Sequence, residues 1–303
     1  MSNNQITRRR FFHNAAALIR GYRPPALNRS TMPMHPGTEF YTPNAHFYYR
    51  PARPIPRPEA DSWRLRVGGL GVQSALDKAA LYALPGGEIA CTLTAAGSDP
   101  RFPLIGNARW GGVPLRLLLA EMNIPAVATH ARFYGADGGT TALPLAELQD
   151  AWLVYHMNGA PLPAEQGGPL RLLVPGLYDD VMPRWLQAIE LVTLPPDALP
   201  TITVVAPLTV LFTPRPTETF TGSITFAGAA YAGLQAISAV ELSIDDAPWM
   251  PVPFTQPERY SWAQWRVDWQ PSAPGDYLLQ ARGMAADGTV SPVTAVVFRV
   301  ARV

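Results

Sequence analysis

The chain has 303 residues, 48% hydrophobic and 16% charged, with 33 prolines, 24 glycines and one cysteine. That length can bury two cores, the proline and glycine content favours short strands over long helices, and a single cysteine excludes an internal disulfide framework. The net charge of +1 hides six arginines and no acid before Glu39, leaving 18 basic against 23 acidic residues in the rest, which argues against a nucleic-acid partner.

The amino terminus, "TRRRFFHNAAALIRGYR", begins like a twin-arginine export signal: Thr7, Arg8, Arg9, any residue, Phe11. A working signal continues into an apolar stretch and a small-residue cleavage site, but here the apolar run from Ala15 to Ile19 stops at Arg20. The segment reads instead as a retained basic, aromatic arm, residues 1–39, that docks on a protein partner or an anionic membrane surface through Arg8, Arg9, Arg10, Phe11 and Phe12. Export by a twin-arginine route stays open beside a cytoplasmic or membrane-peripheral location. No run reaches the ~18 apolar residues of a membrane-spanning helix.

Residues 24–58 are proline-rich and predict an extended wrap. "SWRLRVGGL" (62–70) alternates apolar and polar before a glycine turn, and predicts a strand, as does "EIACTLTAA" (88–96). "WGGVPLRLLLAEMNI" (110–124) predicts a turn into a short helix carrying Leu115, Leu118 and Leu119. "HARFYGADG" predicts a strand, "LPLAELQDA" a short helix, and "AWLVYHMNGAPLP", "PLRLLVPGLY" and "WLQAIELV" further strands. This mixed order predicts an α+β domain over 40–195. After the linker "PPDALP" (195–200) the pattern is strands alone, punctuated by Pro-Gly and Asp-Gly turns, and predicts an immunoglobulin-like β-sandwich over 201–303. Trp262, Trp265 and Trp269 are expected in its core and edge.

Four stretches resemble the sulfite oxidase family of molybdenum enzymes and occur in that family's order: "TPNAHFYYR" (42–50), "IGNARWGGVPLRLLL" (105–119), "YGADGGTTALPL" with "YHMNGAPLP" (134–163), and "GGPLRLLVPGLYDDVMPRWL" (167–186). "VELSIDDAPW" and "YSWAQWRVDWQPSAPGDYLLQAR" resemble its C-terminal dimerisation domain. The resemblance implies a first domain built for a pyranopterin cofactor whose molybdenum is bonded by one protein cysteine, at the end of a strand reading like L-x-C-A-G-N-R. On this sequence that pattern falls on Leu93, Thr94, Ala95, Ala96, Gly97, Ser98 and Asp99, so the cysteine position is Ala95. Cys91, four residues upstream, lies ~13 Å away along a strand at ~3.3 Å per residue, beyond the reach of a metal–sulfur bond, and reads as a small core residue.

Other implied contacts are altered as well. Pro51 and Ala52 stand where the family has an Asn-His pair, Gln166 replaces the histidine of a P-x-x-H-G turn, and Asp179 and Asp180 stand near an implied phosphate pocket. No other chemistry replaces the lost site. His13, His35, His46, His130 and His156 lack metal-ligand spacing, there is no phosphate loop or G-x-S-x-G elbow, and Asp179 and Asp180 read as a solvated pair.

The resulting expectation is a sulfite-oxidase-type protein with no cofactor and no catalytic or metal-binding residue. Its expected role is an accessory subunit of a larger, membrane-associated electron-transfer complex, with a homodimer not favoured. The alternative is a molybdopterin-dependent oxidoreductase, or an anion-binding protein, using an altered pocket. Arg50, Arg109 and Arg171 would then supply its positive charge; paired instead with Asp99, Asp179 or Asp180, they would make a salt-bridged core.

Overall fold

The structure is a computed structural model that describes residues 39–50, 54–56, 62–97, 104–195 and 203–302. The arm carrying Arg8, Arg9, Arg10, Phe11 and Phe12, and the positions Pro51, Ala52, Ser98 and Asp99, lie outside the described residues.

Among the described residues, the first part of the chain forms ten strands: β1 (Leu65–Gly69), β2 (Val72–Leu76), β3 (Gly87–Thr94), β4 (Ile105–Pro114), β5 (His130–Gly135), β6 (Thr140–Pro144), β7 (Trp152–Met157), β8 (Ala160–Pro161), β9 (Arg171–Leu173) and β10 (Leu186–Val192). One sheet has the order β2-β1-β10-β5-β6, with β1 and β10 parallel, and a second has β3-β4-β7-β8 with β9 on β7. Leu65, Val67, Phe133 and Ile189 of the first sheet share one core with Cys91, Leu93, Trp110 and Leu153 of the second.

Among the described residues two α-helices accompany the sheets, α1 (Lys78–Ala83) and α2 (Leu115–Ala120). The Asp77 carboxylate caps α1 by accepting the Ala80 N–H at 2.8 Å, satisfying one of the orphan donors of a helix start. In α2, Leu115 and Leu118 sit on one buried face at helical spacing.

The helical share is smaller than the predicted α+β class suggests. Trp110 and the glycines after it extend β4 to Pro114, where α2, the predicted short leucine helix, follows directly, while "LAEL" (145–148) closes only a 3-10 turn. Gly112 is the reason β4 can run on: at the bulge where β4 meets β7, a Cβ would lie 2.1 Å from the Leu153 carbonyl oxygen. Within the predicted wrap, the described part at residues 47–49 needs correction. Phe47, Tyr48 and Tyr49 are buried, Phe47 packs edge-on to Trp110 with ring centroids 5.6 Å apart, and the stretch is part of the core.

The last third of the chain adds β11 (Leu208–Thr213), β12 (Thr219–Phe220), β13 (Ile224–Tyr231), β14 (Ile237–Ile244), β15 (Met250–Pro251), β16 (Phe254–Thr255), β17 (Ala263–Trp269), β18 (Gly275–Ala285) and β19 (Thr294–Val300). These make two sheets, β11-β13-β17-β16 and β12-β19-β18-β14-β15. Phe226 and Trp265 of one face Val240, Leu279 and Phe298 of the other across a shared core, giving a sandwich. Trp269 stacks on Phe226 at 5.3 Å and meets Tyr277 at 4.8 Å. Trp265 and Trp269 therefore belong to the sandwich core, as expected.

Trp262 does something else. It lies in a separate cluster with Ile105, Val205 and Tyr231, where the two parts of the chain meet. Strand β3 is buried there on both faces, which is why it shows a continuous buried run from Ala90 to Thr94 instead of alternation.

Candidate functional site

The strand β3 ends at Thr94 and delivers Ala95 to a cavity of about 400 Å³, also lined by Arg50, Asp137, Thr140, Thr141, Asp179, Asp180, Arg184 and Trp185. The cavity thus gathers the end of β3, the "HFYYR" stretch, the turn before β6, and the "YDDVMPRW" stretch between β9 and β10. These segments are distant in sequence and meet because β3 and β10 belong to sheets that share one core.

Under the cavity is a buried charge cluster. Asp179 is held between the guanidinium groups of Arg171 and Arg184, both within salt-bridge contact, and its side chain and that of Arg171 are almost wholly enclosed. Burial would raise the Asp179 pKa, but the charges of Arg184 and Arg171 outweigh it and hold the carboxyl down at about 2. Arg171 also donates to the Gln166 carbonyl at 3.1 Å, and its guanidinium lies 5.4 Å over the Trp110 ring. Asp179 is therefore not half of a solvated pair: it is a fully compensated buried ion.

Asp180 is different in kind. It is exposed, its carboxylate accepts the Ala96 N–H at 2.6 Å, and it lies 3.7 Å from the Arg50 guanidinium. Arg50 in turn donates to the Ala96 carbonyl at 2.9 Å.

Gln166, at the position of the family's histidine, is buried and donates from Nε2 to the Tyr48 carbonyl at 2.8 Å. The side chain now ties the turn after β8 to the "HFYYR" stretch. Arg109 is not part of the site. It pairs with Glu88 at 3.4 Å and with the Tyr41 hydroxyl at 3.2 Å on an exposed face. Sequence reasoning missed Arg184, which lines the cavity, donates to the Arg50 carbonyl at 3.3 Å, and has a buried Nε with no hydrogen-bond partner. Its position directly before Trp185, inside a stretch that carries the family resemblance, was the available signal.

The family model described as "Oxidoreductase molybdopterin binding domain" matches residues 52–199. Mitochondrial sulfite oxidase of Homo sapiens is 30% identical over 297 residues, a match covering 78% of this chain and 54% of that protein. The chain belongs to the sulfite oxidase family. Sulfite oxidase of Gallus gallus is 32% identical, covering 53% of this chain and 41% of that one. An inducible NADH nitrate reductase of Glycine max is 30% identical, covering 53% and 21%. The chain thus spans about half, or less, of the length of these relatives. Among solved structures, the sulfane dehydrogenase SoxCD of Paracoccus pantotrophus superposes with a TM-score of 0.75, covering 84% of this chain and 75% of that one at 21% identity, which shows the fold.

These matches overturn the expectation of a chain with no cofactor: membership of a molybdopterin-binding family points to a molybdenum cofactor. The residues present do not fit the metal bond that the resemblance implies. Ala95 has no sulfur, and Cys91 is fully buried, its thiol pushed up to about 12 by burial and its Sγ turned to the Thr92 carbonyl at 3.6 Å. Strand β3 therefore supplies no thiolate, and its residues support no reaction step through a metal. Among the described residues no three His, Cys, Asp or Glu side chains converge as a metal site.

Proposed function

We propose that the chain is an accessory subunit of a larger, membrane-associated electron-transfer complex, and that the cavity beside Ala95 performs no turnover of its own. One observation carries this: the position matched to the family's ligating cysteine is Ala95, in a cavity whose arginines Arg50 and Arg184, with Arg171 buried beneath, are engaged by Asp179 and Asp180. A molybdenum centre bound in this cavity would lack a protein thiolate from β3. The family's redox chemistry supports an electron-transfer host, and the basic, aromatic arm at Arg8, Arg9, Arg10, Phe11 and Phe12 supports docking to protein subunits at an anionic membrane surface. In this reading the arm is 1–39, the sulfite-oxidase-type domain 40–195, and the immunoglobulin-like sandwich 201–303. The site of action is the cytoplasm or the membrane periphery, with twin-arginine export as the other route.

A second reading, a molybdopterin-dependent oxidoreductase with an altered pocket, is favoured by the family match over 52–199. One preparation separates the two. The full chain is purified from its native host under mild conditions, co-purifying proteins are identified by mass, and sulfite-dependent reduction of an artificial acceptor is assayed. Stoichiometric redox subunits, lost on deletion of residues 1–23, with no turnover by the isolated chain, is the expected result. Sulfite oxidation by the isolated chain would establish the second reading.

A further inference from the structure

We propose that Tyr82 and Tyr155 form an oxidative modification site: a stacked tyrosine pair that couples to dityrosine when the protein meets a one-electron oxidant, of the class of a ferryl haem or a photo-oxidised ruthenium complex. This goes beyond the accessory role and does not depend on it.

Three observations carry the inference. The two ring centroids are 4.1 Å apart at an interplanar angle of 26°, closer than the ~4.5 Å at which ordinary aromatic pairs begin. The rings come from different elements and differ in access. Tyr82 rides on α1, where Leu81 is the buried residue, and is 47% exposed. Tyr155 belongs to β7, is half-buried, and meets His156 edge-on at 5.1 Å. Among the described residues no other two tyrosine rings are in contact. An oxidant in solvent therefore reaches Tyr82 directly, and the radical formed there has one phenol within stacking distance.

The chemistry closes on the pair. Partial burial holds both phenols above the ordinary tyrosine pKa, and Tyr82 adds to the effect at Tyr155. Each ring is therefore protonated at neutral pH and gives up one electron together with its hydroxyl proton. The carbons ortho to the two oxygens then join in a C–C bond, and the hydrogens on those carbons leave as protons while the two oxygens regain theirs. Two electrons pass to two equivalents of oxidant, two protons pass to water, and the chain becomes lighter by two hydrogen atoms. The new bond ties α1 to β7 and closes the chain from 82 to 155 into a covalent loop, which restricts the unfolded ensemble.

The test irradiates dilute full-length protein with ruthenium tris(bipyridine) and persulfate, isolates the monomer, and reads dityrosine fluorescence and peptide masses. Folded wild type should yield a peptide pair joined between Tyr82 and Tyr155 and lighter by two hydrogens. Tyr82→Phe and Tyr155→Phe keep a stacked ring and remove one phenol, and each should abolish the monomer fluorescence, whereas Tyr134→Phe should retain it. Absence of the Tyr82–Tyr155 peptide from irradiated folded wild type would overturn the proposal. So would monomer fluorescence that survives in both Phe variants at the pair, or an equal yield of the same peptide from chain unfolded in guanidinium.

Discussion

The backbone N–H of Trp262 donates to the Thr92 hydroxyl at 2.8 Å, and that hydroxyl donates to Asn107 Oδ1 at 3.0 Å. A single buried oxygen therefore joins the sandwich to β3 and β4. The neighbouring Thr92 N–H donates to the Tyr260 carbonyl at 2.9 Å, and the Tyr260 hydroxyl donates to Asp150 at 2.5 Å, so the junction is polar at its centre as well as apolar at Trp262.

Replacing Thr92 with Val keeps the shape and removes the hydroxyl. The Trp262 N–H and the Asn107 side-chain carbonyl would lose a buried partner, each at a cost of about 1–3 kcal/mol. Thermal unfolding should show a clear loss of stability for Thr92→Val and little change for Thr92→Ser. A Val variant as stable as wild type would mean that the junction does not depend on this bond.

Asp179 sets an acid limit. Its folded-state pKa, about 2, lies below the ordinary aspartate value of 3.8. Its ionisation therefore stabilises the fold fully above pH 3.8, and this contribution, about 2 kcal/mol, is lost as pH falls through 3.8 towards 2. Wild-type stability measured by denaturant titration should drop across that window. Asp179→Asn should lose about 3–5 kcal/mol at neutral pH, because Arg171 and Arg184 are left buried without their counter-charge, and should lack the corresponding acid step.

Cys91 should be inert. Its thiol is buried and held at about 12, so Ellman's reagent at pH 8 should detect no thiol in the folded chain and one per chain after unfolding. The same burial predicts that Cys91→Ala leaves the molybdenum and pterin content of the purified protein unchanged. A fall in metal content in that variant would show that β3 provides a ligand after all.

Self-association provides a check on the proposed assembly. A symmetric dimer needs ~1,600 Å² of total buried surface, which would compete with a foreign subunit for the same sandwich. Light scattering across a dilution series should report a monomer. A dimer independent of concentration and abolished by substitutions within 201–303 would show that the chain pairs with itself.

Much of this protein is legible in its residues. Local periodicity and turn chemistry suffice for β1, β3, β7 and β10, for the leucine face of α2, and for the strand-only pattern after 200, because these depend on neighbours two to four positions apart. The thiolate-free position Ala95 is equally a property of the sequence, since no fold supplies an atom that the side chain lacks. The fate of the charges was decided only in three dimensions. Asp179 and Asp180 are adjacent in the chain, yet one is a buried ion between Arg171 and Arg184 and the other an exposed acceptor for the Ala96 N–H. Arg50 and Arg109, alike as motif arginines, end respectively at the cavity and on a face beside Glu88. Which carboxylate meets which guanidinium depends on how the turn after β9 is laid across the end of β3. That packing is fixed by the core that the two sheets share, through contacts between residues far apart in the chain.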